Sequence, residues 1–269
     1  MSGFSLTLKA AVPLRLDLRG ITPVALAALS ADKVERLTVG HGNALLPLGE
    51  FFRVTARSDD TLLLQGELSR CDHVGWQMDG GVLVAEGSVG DCAGGGMTSG
   101  TLSVKGDAGA LAACEMAGGT LSIEGSVGDF AASTLPGSMD GMRGGTLIVR
   151  GNAGARFGDR MRRGTALIFG DAGDFLASRM VAGTIALAGR AGAHVGYGMR
   201  RGSVVLAGPA PAPSSSFVPA VAGAPVFWQL LTRDLAPHGG VFASLSARGI
   251  VRHLGDIAAG GKGELIVVR

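Results

Sequence analysis

Between Gly66 and Gly208 one pattern returns seven times: glycine, two residues, glycine, a variable middle, methionine, two residues, glycine, then a short apolar run. Residues 170 to 189, GDAGDFLASRMVAGTIALAG, show it whole. The repeat openings Gly87, Gly106, Gly125, Gly151, Gly170 and Gly189, with the closing Gly208, are spaced 19, 19, 26, 19, 19 and 19. The single long interval carries an insertion of seven residues (26 − 19) around Pro136 to Gly141. Methionine marks every unit, as Met78, Met97, Met116, Met142, Met161, Met180 and Met199, and only Met1 and Met139 fall outside the column.

A period near twenty residues with one strand and several glycines is too short for a propeller blade and lacks the apolar spacing of helix-pair repeats. It predicts an all-β chain, a right-handed parallel β-helix of about seven single-stranded coils. In such a solenoid each coil stacks on the last at roughly 4.8 Å, so equivalent residues form ladders and no coil is stable alone. The strand segments fit: Thr101, Thr120, Thr146, Thr165, Thr184 and Ser203 each open an alternating run such as Leu102 and Val104 or Ile185 and Leu187. Glycine at the corners permits the positive φ that tight turns need. The methionines are then expected to point inward as a ladder, filling a narrow core with an adaptable thioether. A metal reading of that column fails, because a ladder spreads its sulfurs along an axis instead of converging them.

The stretches GNAGARFGDRMRRGT, GDAGDFLASRMVAGT, GRAGAHVGYGMRRGS and MDGMRGGTLIVRGNAGAR carry a family likeness. They resemble the glycine-rich β-helix shared by the C-terminal domain of glutamate synthase and the C subunit of formylmethanofuran dehydrogenase. With residues 1 to 60 and Phe227 to Arg269 added, the whole chain resembles the C subunit of the bacterial formyltransferase/hydrolase complex of methylotrophs. The resemblance implies a noncatalytic scaffold and docking subunit among hydrolase, transferase and other subunits. That complex converts formyl-tetrahydromethanopterin to formate through a formyl-methanofuran-type carrier in formaldehyde oxidation. It implies no cofactor on this chain, the carrier and tetrahydromethanopterin belonging to the complex. A variant of the same reading is the C subunit of a molybdenum or tungsten formylmethanofuran dehydrogenase. A reading from another class is a stand-alone polysaccharide-acting β-helix enzyme.

Three regions are expected: an N-terminal cap over 1–65, the β-helix over 66–208, and a connector with C-terminal cap over 209–269. In the first, Phe4, Leu6, Leu8, Leu14, Leu16 and Leu18 would face one way on a pair of strands around Pro13. Thr22 and Pro23 signal a helix start, and Leu37 to Gly40, Leu45 to Leu48, Phe51 to Ala56 and Thr61 to Gly66 read as further strands. In the last, Pro209, Pro211, Pro213 and Ser214 to Ser216 break the repeat. A helix over Pro225 to Leu235 is then expected to dock through Val226, Phe227, Leu230 and Leu231. The final GDIAAGGKGELIVVR reads as a glycine loop and a strand.

Charge and residue types exclude several functions. A net charge of +2 and 5% aromatic residues argue against nucleic acid. No apolar run approaches the length of a membrane span and the chain opens on no signal pattern, so a cytoplasmic protein is expected. Cys71, Cys92 and Cys114, odd in number and without CxxC spacing, read as free thiols, with Cys71 and Cys92 as candidate neighbours across coils. The run Gly255 to Lys262 misses the P-loop spacing by one residue and has Gly263 where serine or threonine is required. His41, His73, His194, His238 and His253 fit no zinc spacing, and His194 is expected on an exposed corner. Asp59 and Asp60 sit on a turn, and Asp107, Asn152 and Asp171 fall in a corner column where short polar side chains bond their own backbone. No catalytic residue is therefore expected.

Two features remain. Directly after the methionine column come Arg143, Arg162 and Arg163, and Arg200 and Arg201, with Val181 and Ala182 interrupting. Stacked, these guanidinium groups lie on one edge some 5 to 10 Å apart, where bare charges repel by only about 0.4 to 0.8 kcal/mol in water. Arginine suits carboxylate recognition, so this edge is the candidate site for an anion or acidic partner, and under the family resemblance for the carrier's polyglutamyl tail. Second, the outward strand position is Ser103 and Ser122 early but Ile148, Leu167, Ala186 and Val205 later. Such a face calls for a cover, either the C-terminal helix or another subunit.

Overall fold

The computed structural model of the chain describes residues 3–220 and 225–269. Its N-terminal part runs β1 (Phe4–Leu8), β2 (Leu16–Asp17), α1 (Pro23–Leu26), α2 (Ala31–Glu35), β3 (Thr38–His41), β4 (Ala44–Pro47), α3 (Leu48–Phe51), β5 (Phe52–Ala56) and β6 (Thr61–Gln65). The repeats contribute β7 (Cys71–Asp72), β8 (Asp79–Glu86), β9 (Ser99–Val104), β10 (Thr120–Ile123), β11 (Arg143–Val149), β12 (Arg163–Ile168), β13 (Thr184–Leu187) and β14 (Ser203–Leu206). After them come β15 (Val218–Pro219), α4 (Pro225–Leu235), a 3-10 segment Gly240–Ala247, β16 (Ile250–Gly255) and β17 (Gly263–Val268).

From β6 through β8 to β14 the strands stack in parallel, each on the next, in one register. Thr101, Thr120, Thr146, Thr165, Thr184 and Ser203 form one rung column. A second line of contact is a ladder of single bridges running Val89, Ala108, Val127, Ala153, Ala172, Ala191. A third is made by backbone N–H groups of one turn donating to carbonyls of the turn before, as Ala113 to Ala93 (2.8 Å), Ala132 to Ala112 (2.7 Å) and Ala177 to Phe157 (2.8 Å). Three lines of coil-to-coil bonding with short corners make the fold a β-rich solenoid.

All seven repeat methionines are fully buried. Their spacing from the following glycine has a steric cause. A Cβ on Gly119 would lie 2.7 Å from the Met97 methyl carbon, and one on Gly100 2.7 Å from that of Met78. Each methionine methyl thus fills the space that a side chain on the next coil's glycine would take, and those glycines also hold positive φ, +78° at Gly119 and +84° at Gly100.

The corner side chains of Asp107, Asn152 and Asp171 act across coils, which corrects the expected bonding to their own backbone. Asp107 Oδ1 accepts from Ser126 N–H (2.7 Å), Asn152 Oδ1 from Asp171 N–H (2.8 Å) and Asp171 Oδ1 from Arg190 N–H (2.6 Å). A parallel ladder runs through Asp91 to Ala110, Asp129 to Ala155 and Asp174 to Ala193. At the corners the coil leaves regular strand pairing, and a side-chain oxygen one coil below satisfies the N–H left over.

Both ends of the chain join this sheet. The N-terminal strand β1 pairs in parallel with β6 and antiparallel with β5, so the expected boundary at residue 65 does not interrupt the sheet. Within that region Leu16 and Leu18 are buried but Leu14 is 51% exposed, because only Leu16 and Asp17 pair as a strand. Thr22 Oγ1 accepts from Ala25 N–H (3.4 Å) and caps α1. At the far end β17 pairs in parallel with β14, Ser203 opposite Glu264 and Leu206 opposite Val267. A Cβ on Gly263 would meet Met199 Sδ at 2.7 Å. Gly263 therefore repeats the methionine-glycine contact of every coil, and β17 is one more rung of the stack, reached after the excursion through α4 and β16.

The late outward face is covered from within the chain. Leu167, Ala186 and Val205, all fully buried, pack against Trp228, Leu231 and Leu235 of α4 and Phe242 and Leu245 of the 3-10 segment. Ile148, at the margin, is only partly buried. Helical spacing predicts docking through Val226, Phe227, Leu230 and Leu231. Of these Leu231 is buried, whereas Val226 and Leu230 point outward. The docked face is instead Trp228, Leu231, Thr232 and Leu235, since the large indole sets the rotation of the helix and pulls the 228/231/235 stripe onto the sheet.

Candidate functional site

The arginine edge is built by the methionine column. With Met142, Met161, Met180 and Met199 held inside, the residues that follow are turned to the surface as the chain enters each strand. Backbone bonds fix their stacking: Arg143 N–H donates to Met116 O (2.6 Å), Arg162 N–H to Met142 O (2.8 Å) and Arg200 N–H to Met180 O (2.8 Å). Arg143 and Arg163 are also registered partners in the β11–β12 ladder.

These side chains line one open groove of about 550 Å³ with Asp140, Val181 and Ala182. All five candidate arginines are in it. The two small residues that interrupt the charge column form a shallow floor, so a groove lies between the Arg162–Arg163 and Arg200–Arg201 rungs instead of a continuous ridge. The lining carries five guanidinium groups and one carboxylate, a formal charge of 5 − 1 = +4. Asp140 Oδ1 is 2.5 Å from Arg162 Nε. Arg143 Nη2 reaches Glu115 O at 3.4 Å. Among the described residues Arg163, Arg200 and Arg201 have no ion-pair partner, so their donors are open to a ligand.

Spacing within the repeat misses one residue of the groove, Asp140, and one residue stacked beyond its end, Lys262. Asp140 comes from the seven-residue insertion, whose loop folds back beside the next coil. Lys262 sits where β17 extends the stack: its N–H donates to Arg200 O (2.6 Å), and by the β14–β17 register it stands on Arg201. A signal for Lys262 is present in Lys262–Gly263 before an apolar strand, which echoes Arg201–Gly202 before Ser203 to Leu206.

The arrangement can bind an extended polyanion. Exposed guanidinium groups at coil spacing present forked donors to successive carboxylates, each bond charge-assisted but wet.

The other ionic cluster holds the coils together. Asp159, only 3% exposed, accepts from Ser178 Oγ (2.7 Å), from Arg179 Nη2 on both carboxylate oxygens (2.8 and 3.0 Å) and from Arg179 Nε (3.1 Å), with Arg156 and Arg160 nearby. Arg156 also lies 4.7 Å over the Phe175 ring, on which His194 stacks at 4.7 Å. The cysteine register differs from the one expected. Asp91 N–H donates to Asp72 Oδ1 (2.9 Å), so Cys92 stands on His73, and Gly90, not Cys92, stands on Cys71 (N–H to Cys71 O, 2.9 Å). The first repeat, Gly66 to Gly87, is two residues longer than the 19-residue repeats, which shifts the column by two. Among the described residues no helix is long and apolar enough to cross a membrane.

No family model matches the chain. In sequence it is 42% identical over 86 residues to the Fhc C subunit of the formyltransferase/hydrolase complex of Methylorubrum extorquens, a segment covering 32% of each chain. It is 36% identical over 90 residues to the C subunit of the molybdenum-containing formylmethanofuran dehydrogenase 1 of Methanothermobacter wolfeii, over 33% of this chain and 22% of the relative. These matched segments span about a third or less of the curated relatives' length. In structure the match is far longer. A chain in the X-ray structure of the formyltransferase/hydrolase complex FhcABCD of Methylorubrum extorquens, in complex with methylofuran, superposes with a TM-score of 0.92 and 41% identity over 98% of both chains. Since that likeness runs over 98% of both chains at 41% identity, the chain belongs to the family of the C subunit of the formyltransferase/hydrolase complex.

Proposed function

We propose that this chain is the noncatalytic docking subunit of a cytoplasmic formyltransferase/hydrolase complex, and that its arginine groove holds the anionic, polyglutamyl tail of a methanofuran-type carrier. In this reading the sister subunits transfer the formyl group from formyl-tetrahydromethanopterin to the carrier and hydrolyse it to formate, and this chain supplies neither step. The solenoid is taken as a right-handed parallel β-helix of about seven coils, a stiff rod that keeps the groove and the docking faces for its sister subunits at fixed separation. The observation that carries the reading is the groove itself, five arginines against one carboxylate in a family whose solved complex contains methylofuran. The end-to-end match to a chain of that complex favours it over the dehydrogenase variant, whose relatives align over 22 to 35% of their length.

The test is kinetic. In the assembled complex, Arg162, Arg163, Arg200 and Arg201 replaced together by glutamine should raise KM for the carrier and leave kcat unchanged, because the tail is remote from the formyl group and binds ground and transition states alike. Each exposed contact contributes about 0.2 to 1 kcal/mol, so four together should raise KM by at least about fourfold and by up to several hundredfold. High salt should imitate the variant. A KM unmoved by both, in a complex that stays assembled, removes the tail from the groove. Turnover by the chain alone would remove the noncatalytic assignment.

A further inference from the structure

The arginine column of the groove is broken once, and nothing in the backbone requires the break. Arg162 N–H and Arg163 N–H donate to Met142 O (2.8 and 3.2 Å), and one coil on Val181 N–H and Ala182 N–H donate to Met161 O (2.8 and 3.3 Å) in the same way. Arg200 N–H then donates to Met180 O (2.8 Å). The rung of Val181 and Ala182 is thus built like its neighbours and differs only in side chains. Met161 and Met199 are each followed by Arg-Arg-Gly, whereas Met180 is followed by Val-Ala-Gly. Repulsion does not forbid a cation there either, since Arg143 and Arg163 stand opposite each other in adjacent coils. Fold and electrostatics leave the position free, which makes the break in charge a feature the groove presents to its ligand.

The break divides the cations into two clusters. On one side stand Arg143, Arg162 and Arg163 with Asp140, whose Oδ1 lies 2.5 Å from Arg162 Nε, a formal charge of 3 − 1 = +2. On the other stand Arg200 and Arg201, extended by Lys262 from the closing rung, a formal charge of 2 + 1 = +3. All six cationic side chains are exposed, whereas Val181 and Ala182 are half-buried. From the rung of Arg162 and Arg163 to that of Arg200 and Arg201 is two coil steps, roughly 10 Å at strand spacing. Between them the floor offers alkyl groups and no side-chain donor, and the N–H groups of Val181 and Ala182 are already bonded to Met161 O. A carboxylate laid on that floor would give up water without gaining a donor, whereas a methylene chain gives up nothing. A ligand that fills the groove therefore carries its anionic groups at the two ends and an uncharged stretch across the middle.

We propose that the groove selects its ligand by the spacing of anionic groups: two carboxylates roughly 10 Å apart, one held by each cationic cluster, joined by an uncharged chain that lies on Val181 and Ala182. Val181 and Ala182 are then the specificity-determining residues of the site. The proposal rests on the reading of the groove as an anion site and narrows it to dianions of one span. In an extended glutamyl chain, which advances roughly 3.3 Å per residue, the two carboxylates engaged are about three residues apart and those between them turn to water. A short dianion reaches one cluster only, so two molecules are needed to fill the groove. A dianion of the right span closes the second contact within one bound complex, which raises its affinity without any new kind of bond.

Protection of the arginines from phenylglyoxal, mapped by peptide mass spectrometry on the full folded chain, tests this without any variant. The probes are linear dicarboxylates from succinate to azelate, with octanoate as the control that has one carboxylate. Suberate and azelate, whose carboxylates stand at the required separation when extended, should protect Arg163 and Arg200 together. They should do so at a concentration about fivefold below that of glutarate, the gain of one further exposed contact. Octanoate should be weaker than suberate by a similar factor. In the double variant Val181→Arg with Ala182→Arg, which continues the Met-Arg-Arg-Gly of the flanking repeats, the cations run unbroken and glutarate should protect as well as suberate. Suberate no better than glutarate or octanoate on the wild-type chain, or a length preference that survives in the double variant, overturns the proposal. Hexaglutamate in the same assay reports separately on the carrier tail. If the dicarboxylates show the length preference while hexaglutamate protects no arginine, selection by spacing stands and the glutamyl tail leaves the groove; if no probe protects, both fall.

Discussion

A methyl group and an absent methyl group set the repeat. Each methionine reaches up to the glycine of the next coil, and the contact forbids a Cβ there. Gly119→Ala should therefore destabilise the chain by about 1 to 3 kcal/mol beyond the cost of its positive φ. Gly137→Ala is the control: it shares a positive φ of +87° but meets nothing within 4 Å. Denaturant midpoints of the two variants should separate by that clash alone. Met161→Leu conserves volume and should cost under about 1.5 kcal/mol, whereas Met161→Asp places an unpaired carboxylate at a fully buried position and should leave no cooperative melting transition. Asp140→Asn has the opposite sign to the arginine substitutions. It removes the one carboxylate of the groove, so KM for an anionic carrier should fall, by up to about fivefold for a contact of 1 kcal/mol or less.

The C-terminal cap is the element whose role the strand pattern hinted at without settling. An apolar outer face over Leu167, Ala186 and Val205 could have met another subunit, but α4 and the 3-10 segment cover it. Leu167→Asp or Val205→Asp therefore probes the chain's own cap. Each should red-shift the emission of Trp228 and let limited proteolysis release the C-terminal segment, while the far-UV strand signal persists. An unchanged Trp228 emission in both variants would show that the cap does not depend on this face. Loss of the cap should also loosen β17, and with it Lys262 at the end of the arginine column. The outer side of α4 keeps Val226 and Leu230 exposed, at 67% and 53%, which places any contact of this element with a sister subunit on the side away from the sheet.

At the scale of the whole molecule the stack converts sequence spacing into distance along an axis. Residues 19 positions apart become neighbours, so Arg143, Arg162 and Arg200 share one groove although 57 residues separate the first from the last. A groove of this kind gives affinity by number: no single arginine dominates, and salt should weaken binding progressively. Adding Lys262→Gln to the fourfold arginine variant should raise KM further by up to about fivefold, because the lysine continues the column past Arg201. Equal KM in the fourfold and fivefold variants would end the groove at Arg201.

Period and residue type were enough to expect strands, their parallel stacking, the inward methionines and the outward arginines. In a solenoid a local repeat dictates long-range neighbours, so those contacts are legible one coil at a time. The same logic failed wherever the period breaks. The first repeat is longer, so Cys92 landed on His73 instead of Cys71. The insertion before Gly141 delivered Asp140 to the groove, and the excursion from Pro209 to Lys262 returned β17 to the stack as a further rung. The docked face of α4, Trp228, Leu231, Thr232 and Leu235, has helical spacing too, and its packing on the sheet, not spacing, decided between it and the stripe through Val226 and Leu230. The sequence by itself determined what repeats; the tertiary structure alone decided what meets across the breaks, because those contacts depend on where a loop closes in space and not on how many residues it contains.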